Sequence, residues 1–423
     1  MKRIFNLIFF LAVICFTVNA QTKVGENLGA VSDSIANKQK LKAHNDSLNT
    51  EMSKPDYIIA SILVASPGSE IYSVVGHSAL RLQCPTKNVD NCYEFASMID
   101  FDTTLEFISG TMEGEFKRLH TADYINRYKV DGRGIEELVL NLTPKQKTQL
   151  WMNVDQQCDE NTAWKFDYLV NYCSNMVAWL VESSLQGETI EYHNVDPRIT
   201  GTYRDAISFV GPIAPWSALF WNIMLGSLGD KPTDFKGHLY PSALENEWQK
   251  ATIKDSLGNQ RPMALSKPVT LLKVTKDIKS TAPTPAMVFV GLIVLALIIT
   301  FVDYKKGYNI LSRIFDVSLF ALQIIIGLFV TYLVVFSKQI ATDWNWLIIV
   351  FNPLPILIWI MMRRKQTMKR AYILFAVVLL LYSLSTPFSP QLLHSHLYLL
   401  LITFTIRTIA NGFIKGKDLP AKK

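Results

Sequence analysis

Residues 168–181 read YLVNYCSNMVAWLV, a short polar step followed by an amphipathic helix pattern. Four apolar residues recur at the spacing of one helix face, which predicts a helix that begins near Asn171. They are Met176, Val177, Leu180 and Val181. Cys173 stands at the predicted start of this helix, where free backbone N–H groups and the helix dipole stabilise a thiolate. This local setting makes Cys173 a candidate nucleophile.

A candidate base for this nucleophile lies earlier in the chain. Residues 73–82, SVVGHSALRL, have the character of a strand, and the apolar run 56–65 is suited to a buried one. His77 lies at the start of the second strand, and Gly76 before it allows another backbone to approach closely. A histidine on a strand that faces a cysteine at a helix N-terminus is an arrangement of base and thiol nucleophile. A lone Cys or a lone His is more often structural, so this interpretation depends on the pair.

The cysteines leave a structural alternative open. After residue 20 the chain contains Cys84, Cys92, Cys158 and Cys173. Cys84 and Cys92 flank a short turn between two predicted strands, and we expect them to form a hairpin disulfide in an oxidising compartment. Cys158 and Cys173 would then be free to pair as well, in which case Cys173 has only a structural role.

The N-terminal sequence indicates export. Residues 1–20, MKRIFNLIFFLAVICFTVNA, have a basic start, an apolar run and a Val-Asn-Ala cleavage site, which predicts a signal peptide. An uncleaved anchor helix is the alternative. Residues 21–55 are polar and predict a tether, with a stalk helix as the alternative. Residues 56–277 form the predicted exported domain, which is long enough to bury a sizeable core.

The second half of the chain predicts an all-α membrane domain at residues 285–411. Hydrophobic residues make up 49% of the chain and charged residues only 18%, which excludes a purely soluble protein. Five apolar segments are long enough to be membrane helices. They are residues 285–302, 315–336, 344–362, 371–386 and 392–410.

The placement of basic residues predicts the orientation of this domain. Lys and Arg are concentrated after the first, third and fifth segments, and the last group forms a basic tail at residues 412–423. The positive-inside rule therefore places the C-terminus in the cytoplasm and predicts a multi-pass protein of a bacterial inner membrane. The net charge of +6 is then a topology signal, and we expect no nucleic-acid partner.

Four short motifs carry a resemblance to a known family. They are GHSALRL at 76–82, YEFASMIDFD at 93–102, LNLTPKQ at 140–146 and YLVNYCSNMV at 168–177. The chain resembles the membrane-bound lipoprotein N-acyltransferases of certain diderm bacteria, whose exported domain is a permuted NlpC-type domain. In this branch His precedes Cys, as in lecithin:retinol acyltransferase-like enzymes. The resemblance implies an α+β papain-like exported domain followed by the membrane domain of about five helices.

The resemblance also implies a reaction and its partners. The Cys173 thiolate would take an acyl chain from a phospholipid donor as a thioester and pass it to the N-terminal amine of a diacylated lipoprotein. His77 would be the base. A third polar group usually orients such a histidine. Glu94 is the first choice, with Asp100 and His120 as weaker options, and a solvated strand residue is the alternative for Glu94.

Further residues are candidates for substrate contact. They are Asn171, Tyr172 and Ser174 beside the cysteine, and Asn345, Asn352 and His394 on the exported side of the membrane domain. For the membrane residues a solvated role is the alternative, except at Asn352, whose Asn-Pro step inside an apolar span needs a partner. An apolar patch at residues 216–225 either belongs to a core or rests on the bilayer. No metal-ligand spacing is present, so we expect no metal and no cofactor.

Two other classes of function are compatible with the sequence. The first is a different hydrolase or acyltransferase that uses the same dyad, such as a phospholipase, a thioesterase or a cell-wall peptidase. The second is a non-catalytic membrane scaffold that contains a Cys158–Cys173 disulfide. A free Cys173 would argue against the scaffold, and the identity of the product would separate a hydrolase from a transferase.

Overall fold

The computed structural model describes residues 58–70, 72–97, 104–169, 171–193, 201–208, 210–232, 240–276, 282–352 and 365–413. The described residues fall into two compact units, which divide the chain at 214/215, at 231/232 and near 280. Residues 215–231 belong to the same unit as the C-terminal helices, although they lie within the range predicted for the exported domain. The predicted signal peptide and tether, and the tail from residue 414 onward, lie outside the described residues.

The helices and strands of the described residues are numbered here in chain order. The strands are β1 Ile59–Ala65, β2 His77–Cys84, β3 Val89–Ala96, β4 Glu113–His120, β5 Ile135–Val139, β6 Trp164–Lys165, β7 Thr189–Glu191, β8 Thr252–Lys254, β9 Gln260–Pro262 and β10 Val269–Leu272. The helices are α1 Thr104–Ser109, α2 Thr121–Asp131, α3 Pro144–Asp159, α4 Cys173–Ser183, α5 Tyr203–Ser208, α6 Pro215–Met224, α7 Pro241–Lys250, α8 Pro285–Lys306, α9 Ile310–Phe336, α10 Lys365–Ser385 and α11 Ser395–Phe413.

The first unit is an α+β domain built on an antiparallel sheet. The strand order is β10-β5-β1-β2-β3-β4-β6, so the two predicted strands β1 and β2 lie side by side near its centre. Helices α3 and α4 cover one face with apolar side chains such as Leu150 and Val177, which pack with Leu80 and Leu82 of β2. Helix α2 covers the opposite face through Tyr124 and Tyr128. The α+β class of the exported domain is confirmed.

Local signals place the helix starts well. Thr143 caps α3 through the backbone of Gln146, and the Gln146 side chain bonds back to the backbone N–H of Thr143. The sequence Thr-Pro-Lys-Gln at 143–146 has the signature that predicts this capping box, which satisfies donors that the first helical turn would leave free. Helix α4 begins at Cys173 itself, two residues after the predicted start, and its N-cap residue Tyr172 makes no side-chain capping hydrogen bond. The cysteine therefore occupies the first helical position.

The predicted Cys84–Cys92 disulfide is wrong. Both cysteines are buried free thiols in the structure. Cys92 lies directly opposite Arg81 in the β2–β3 ladder, and Cys84 is an odd number of residues further along β2. Side chains alternate between the faces of a sheet, so the two sulfurs point to opposite faces. Cys158 and Cys173 are free as well, which removes the structural alternative for Cys173.

The second unit is helical. Three helices of the described residues are long and apolar enough to cross a membrane: Pro285–Lys306, Ile310–Phe336 and Lys369–Phe388. They correspond to the first, second and fourth predicted segments. The fifth segment forms α11, where the fully buried Arg407 pairs with Asp303 and Asp316 of α8 and α9. The described part of the third segment is a short 3₁₀ turn, Trp346–Ile349, and residues 353–364 lie outside the described residues.

The apolar patch at residues 216–225 forms helix α6 and packs into the core of this second unit. Leu219 and Ile223 belong to the same apolar cluster as Val330 and Leu401 of the membrane helices. The Trp216 ring meets the ring of Phe289 edge-on, with 6.2 Å between the centroids. Of the two expectations for this patch, the structure places it in a core, and that core is formed with the C-terminal helices.

Candidate active site

The structure brings together Cys173, His77 and Glu94. His77 is the first residue of β2, and Glu94 lies opposite Ala79 on β3, so both side chains are on the same face of the sheet. The Glu94 carboxylate reaches along the strand to His77, with 3.0 Å between His77 Nε2 and Glu94 Oε2. The imidazole also hydrogen bonds the Cys173 thiol.

Two neighbours of His77 fix the strand end against helix α4. Gly76 has a φ of +90°, and a Cβ at this position would lie 2.6 Å from the carbonyl oxygen of Ala65. Only glycine fits this close approach without strain. Ser78 donates its backbone N–H to the Cys173 sulfur, and its Oγ lies 3.3 Å from Ser174 Oγ. The residues on both sides of His77 therefore fix its position relative to Cys173.

Arg127 of helix α2 pairs with the Glu94 carboxylate, and the sequence did not identify it as part of the site. Its guanidinium donates to both Glu94 oxygens, at 2.9 Å from Oε1 and 2.6 Å from Oε2. It also lies over the rings of Tyr124 and Tyr128, at 5.2 and 5.3 Å from the centroids. A bidentate pair of this kind fixes a carboxylate in one orientation. The side chain of Glu94 is only 4% exposed, whereas that of Arg127 is 47% exposed.

The pKa values describe a charged dyad. Burial alone would raise the pKa of the Cys173 thiol, but the charge and hydrogen bond of His77, with those from Ser78, lower it to about 7. Burial opposes protonation of His77, but Tyr128, Cys173 and Glu94 together raise its pKa well above the ordinary value. Burial would raise the pKa of Glu94, but His77 and then Arg127 hold it at about 2. Above about pH 7 the pair is therefore a thiolate and an imidazolium.

These pKa values predict a selective reaction with iodoacetamide. The alkylation rate of Cys173 should rise as the pH increases through about 7 and then level off, because the thiolate is the nucleophile. Burial raises the pKa of Cys158 to about 11, so a Cys158→Ser variant should give the same profile. A His77→Ala variant should react about tenfold more slowly at pH 7, since it loses the charge that lowers the thiol pKa. An unchanged profile in His77→Ala would contradict the assignment of the pair.

The three predicted substrate contacts beside the cysteine lie in different environments. The Asn171 side-chain amide donates to the carbonyl of Lys165, at 2.9 Å, and so supports the loop before α4. Ser174 is fully buried beneath the dyad, against Ser78. Tyr172 is 8% exposed, and its hydroxyl has no hydrogen-bond partner among the described residues. Of the three, Tyr172 has an uncommitted polar group next to the cysteine.

The predicted contacts of the membrane domain are engaged within the second unit. Asn345 is 2% exposed and donates to the carbonyls of Ile223 and Met224, at 2.8 and 3.3 Å, which anchors the end of α6. Asn352 donates to the carbonyl of Ile349, at 2.9 Å. His394 lies against His396, with 4.7 Å between the ring centroids. Asn345 therefore has a structural role, and nothing in these contacts favours substrate binding by the other two.

His120, one of the two weaker candidates for the third group, does not reach the histidine. His120 ends β4 opposite Asn91, three positions along β3 from Glu94. Asp100 lies outside the described residues. Within the described residues no group of three His, Cys, Asp or Glu side chains is placed to hold a metal ion. Glu94 is therefore the acidic partner that the structure places on His77.

An antiparallel α+β domain with a Cys–His–Glu arrangement, joined in one chain to apolar helices long enough to cross a membrane, defines a membrane protein with a candidate active site in its α+β domain. Family models agree with this division of the chain. Residues 45–208 match the Lnb N-terminal periplasmic domain, and residues 277–418 match the Lnb transmembrane domain. The chain therefore belongs to the Lnb family of membrane-bound lipoprotein N-acyltransferases, with a periplasmic domain and a transmembrane domain. Searches of curated proteins and of solved structures gave no match.

Proposed function

We propose that the chain transfers an acyl chain from a membrane phospholipid, through a thioester on Cys173, to the α-amine of the N-terminal diacylglyceryl-cysteine of lipoproteins. The observation that carries this proposal is the hydrogen-bonded arrangement of Cys173, His77 and Glu94 in a chain of the Lnb family. Membership of the family supplies the acyltransferase class. The arrangement of the three side chains supports a thiol mechanism for it.

The first half-reaction forms the thioester. The Cys173 thiolate attacks the ester carbonyl of the phospholipid, and the carbon–oxygen bond to the glycerol breaks. The His77 imidazolium gives its proton to the departing alkoxide, so a lysophospholipid with a free hydroxyl leaves. The backbone N–H of Cys173 at the start of α4 is a donor for the oxyanion that forms during the attack.

The second half-reaction transfers the acyl group to the lipoprotein. The neutral α-amine attacks the thioester carbonyl, the carbon–sulfur bond breaks, and His77 takes the proton that the nitrogen loses. Cys173 returns to the thiolate and His77 to the imidazolium, so the starting pair is restored. Glu94 stabilises the imidazolium and holds its ring, and Arg127 holds Glu94 as a positioning residue.

The membrane domain explains how both substrates reach one enzyme. The reactive ester of the donor and the amine of the lipidated acceptor both lie at a membrane surface, so a membrane-bound enzyme meets both. We place the protein in the bacterial inner membrane with the C-terminus in the cytoplasm, because Lys and Arg are concentrated in the loops assigned to that side.

The acyl-enzyme is the species that tests this proposal. The full-length protein in vesicles of acyl-labelled phospholipid should gain one acyl group on the peptide that contains Cys173, measured by peptide mass spectrometry. Hydroxylamine should remove the group, because it cleaves thioesters. A diacylated lipopeptide should discharge the label to its own amine, whereas a hydrolase would release labelled fatty acid at the same rate without the acceptor. Label on any other residue, or no label at all, would contradict the mechanism.

A further inference from the structure

A cavity of about 380 Å³ lies between helix α7 and the ends of strands β1, β5 and β10. Apolar atoms form most of its wall. The side chains that can carry charge there are Glu136 of β5, Glu245 of α7 and Lys273, which follows β10. This cavity is separate from the hydrogen bonds that hold Cys173, His77 and Glu94.

Glu245 is an unusual group to find in this wall. The residue is 5% exposed, and its Oε1 is buried with no hydrogen-bond donor among the described residues. Burial of a carboxyl oxygen without a donor is costly. Lys273 lines the same cavity but forms no ion pair with either glutamate within the part of the chain that the structure describes. No group of the described residues other than the Glu136 carboxyl is therefore placed to donate to this oxygen.

The second carboxylate gives the cavity its charge preference. Glu136 is exposed at its rim and close enough to hydrogen bond Glu245. Burial, and then the charge of Glu136, raise the pKa of Glu245 to about 8. Two neighbouring carboxyl groups hold one proton between them because ionisation of both would place two negative charges side by side. A cation with N–H donors would replace that proton and satisfy the free oxygen, whereas an anion would be repelled.

The cavity adjoins the segment that carries the proposed base. Ala65 lines the cavity and is the partner of His77 in the β1–β2 ladder. Val75 also lines it and precedes His77 by two residues. A Cβ on Gly76, between them, would lie 3.6 Å from Cγ of Pro241, at the start of the helix that carries Glu245. One wall of the cavity is thus continuous with the backbone at the catalytic strand.

We propose that this cavity binds a primary ammonium group of a substrate through Glu245 and Glu136. The proposal rests on the proposed function, because the phospholipid donor of that reaction can carry such a group. The group is the ethanolamine headgroup of the donor, since the α-amine of the acceptor has to be neutral and at Cys173 to attack the thioester. The headgroup is a compact cation with three N–H donors, which suits a buried carboxyl oxygen beside a second carboxylate.

The experiment uses full-length Glu245→Gln and Glu136→Gln variants in vesicles. Formation of acyl-Cys173 is measured on phosphatidylethanolamine and on phosphatidylglycerol vesicles, and transfer to a diacylated lipopeptide is measured separately. Thioester formation should fall about tenfold on phosphatidylethanolamine only, because only this headgroup has the ammonium. The KM for the lipopeptide should stay unchanged, because the acceptor amine reacts at Cys173.

The contrary results are equally distinct. Changes below twofold in every step, or an equal loss on both lipids with an unchanged KM for the lipopeptide, would overturn the ammonium site. Glu136 is exposed, so its variant tests the site even if Glu245→Gln disturbs folding. Glu113→Gln on β4, also exposed, is the matched control and should behave as the unmodified protein. Absence of acyl-Cys173 in the unmodified protein would instead refute the proposed function itself.

Discussion

Replacing Cys173 with serine is expected to lower the rate of acyl transfer by at least about a thousandfold. The thiol of Cys173 has a pKa of about 7 beside His77, so a large fraction is a thiolate at neutral pH. A serine hydroxyl has a far higher pKa, and the same histidine would leave it almost entirely protonated. The substitution keeps the size and position of the side chain, so it removes the nucleophile with little change to packing. The rate is measured with purified protein, phospholipid vesicles and a diacylated lipopeptide.

The matched control for this substitution is Cys158→Ser. Cys158 is a free and partly buried thiol on helix α3, and burial raises its pKa to about 11. The variant removes a thiol of low reactivity and should keep the full rate of transfer. Comparable losses in the two variants, or a Cys173→Ser protein that retains more than a tenth of the rate, would contradict the nucleophile assignment.

Glu94→Gln is expected to lower kcat/KM for acyl transfer by about a hundredfold or more. The variant keeps the shape of the side chain but removes the charge that stabilises the His77 imidazolium and the bidentate pairing with Arg127. His77 then loses affinity for its proton, and the pKa of Cys173 rises with the loss of its charged neighbour. The rising limb of the pH–rate profile should therefore move to higher pH. The measurement is kcat/KM between about pH 5 and 9.

Two further variants separate this role from a general effect on stability. Glu115→Gln removes an exposed ion pair with Lys117, which is worth little, and should leave both the rate and the profile unchanged. Arg127→Lys keeps the positive charge but loses the bidentate geometry, so its rate should lie between those of the unmodified protein and Glu94→Gln. A Glu94→Gln protein with less than a threefold loss and an unmoved profile would show that Glu94 is only a structural strand residue.

Short-range patterns were sufficient for the elements that carry the dyad. The capping box at Thr143 and Gln146 placed the start of α3, because both hydrogen bonds form within one helical turn. The apolar spacing after Asn171 predicted α4, and the strand character of residues 73–82 predicted β2, which the structure begins at His77. Each of these signals depends on neighbours in the chain, so each could be read without the fold.

The partners of the dyad depend on pairings between distant residues. Glu94 was the first choice because it lies on the next strand, where the related family has a polar residue, and it is the antiparallel register that brings it to His77. Arg127 lies on the exposed side of a helix, and no local pattern distinguishes it from a solvated arginine. Glu245 lies on a helix that the chain reaches much later, and the cavity between that helix and β5 exists only in the folded domain.

The errors have the same origin. Cys84 and Cys92 flank a turn, as a hairpin staple would, but an odd offset in the ladder sends their sulfurs to opposite faces of the sheet. A one-residue difference in register is invisible in the sequence, although it reverses the face of every side chain. Helix α6 has the composition of either a core or a surface helix, and only its tertiary contacts with the membrane helices distinguish the two.

The most direct test of the acyl-transfer mechanism uses cells that depend on this protein for lipoprotein maturation. Such cells would carry either Cys173→Ser or His77→Ala, and mass spectrometry of the N-terminal peptide of a reporter lipoprotein would count its acyl chains. We expect two chains in both variants and three in cells with the unmodified protein, with equal amounts of protein in the membrane. Three chains in both variants would contradict the mechanism and leave the Cys173–His77 pair without the proposed role.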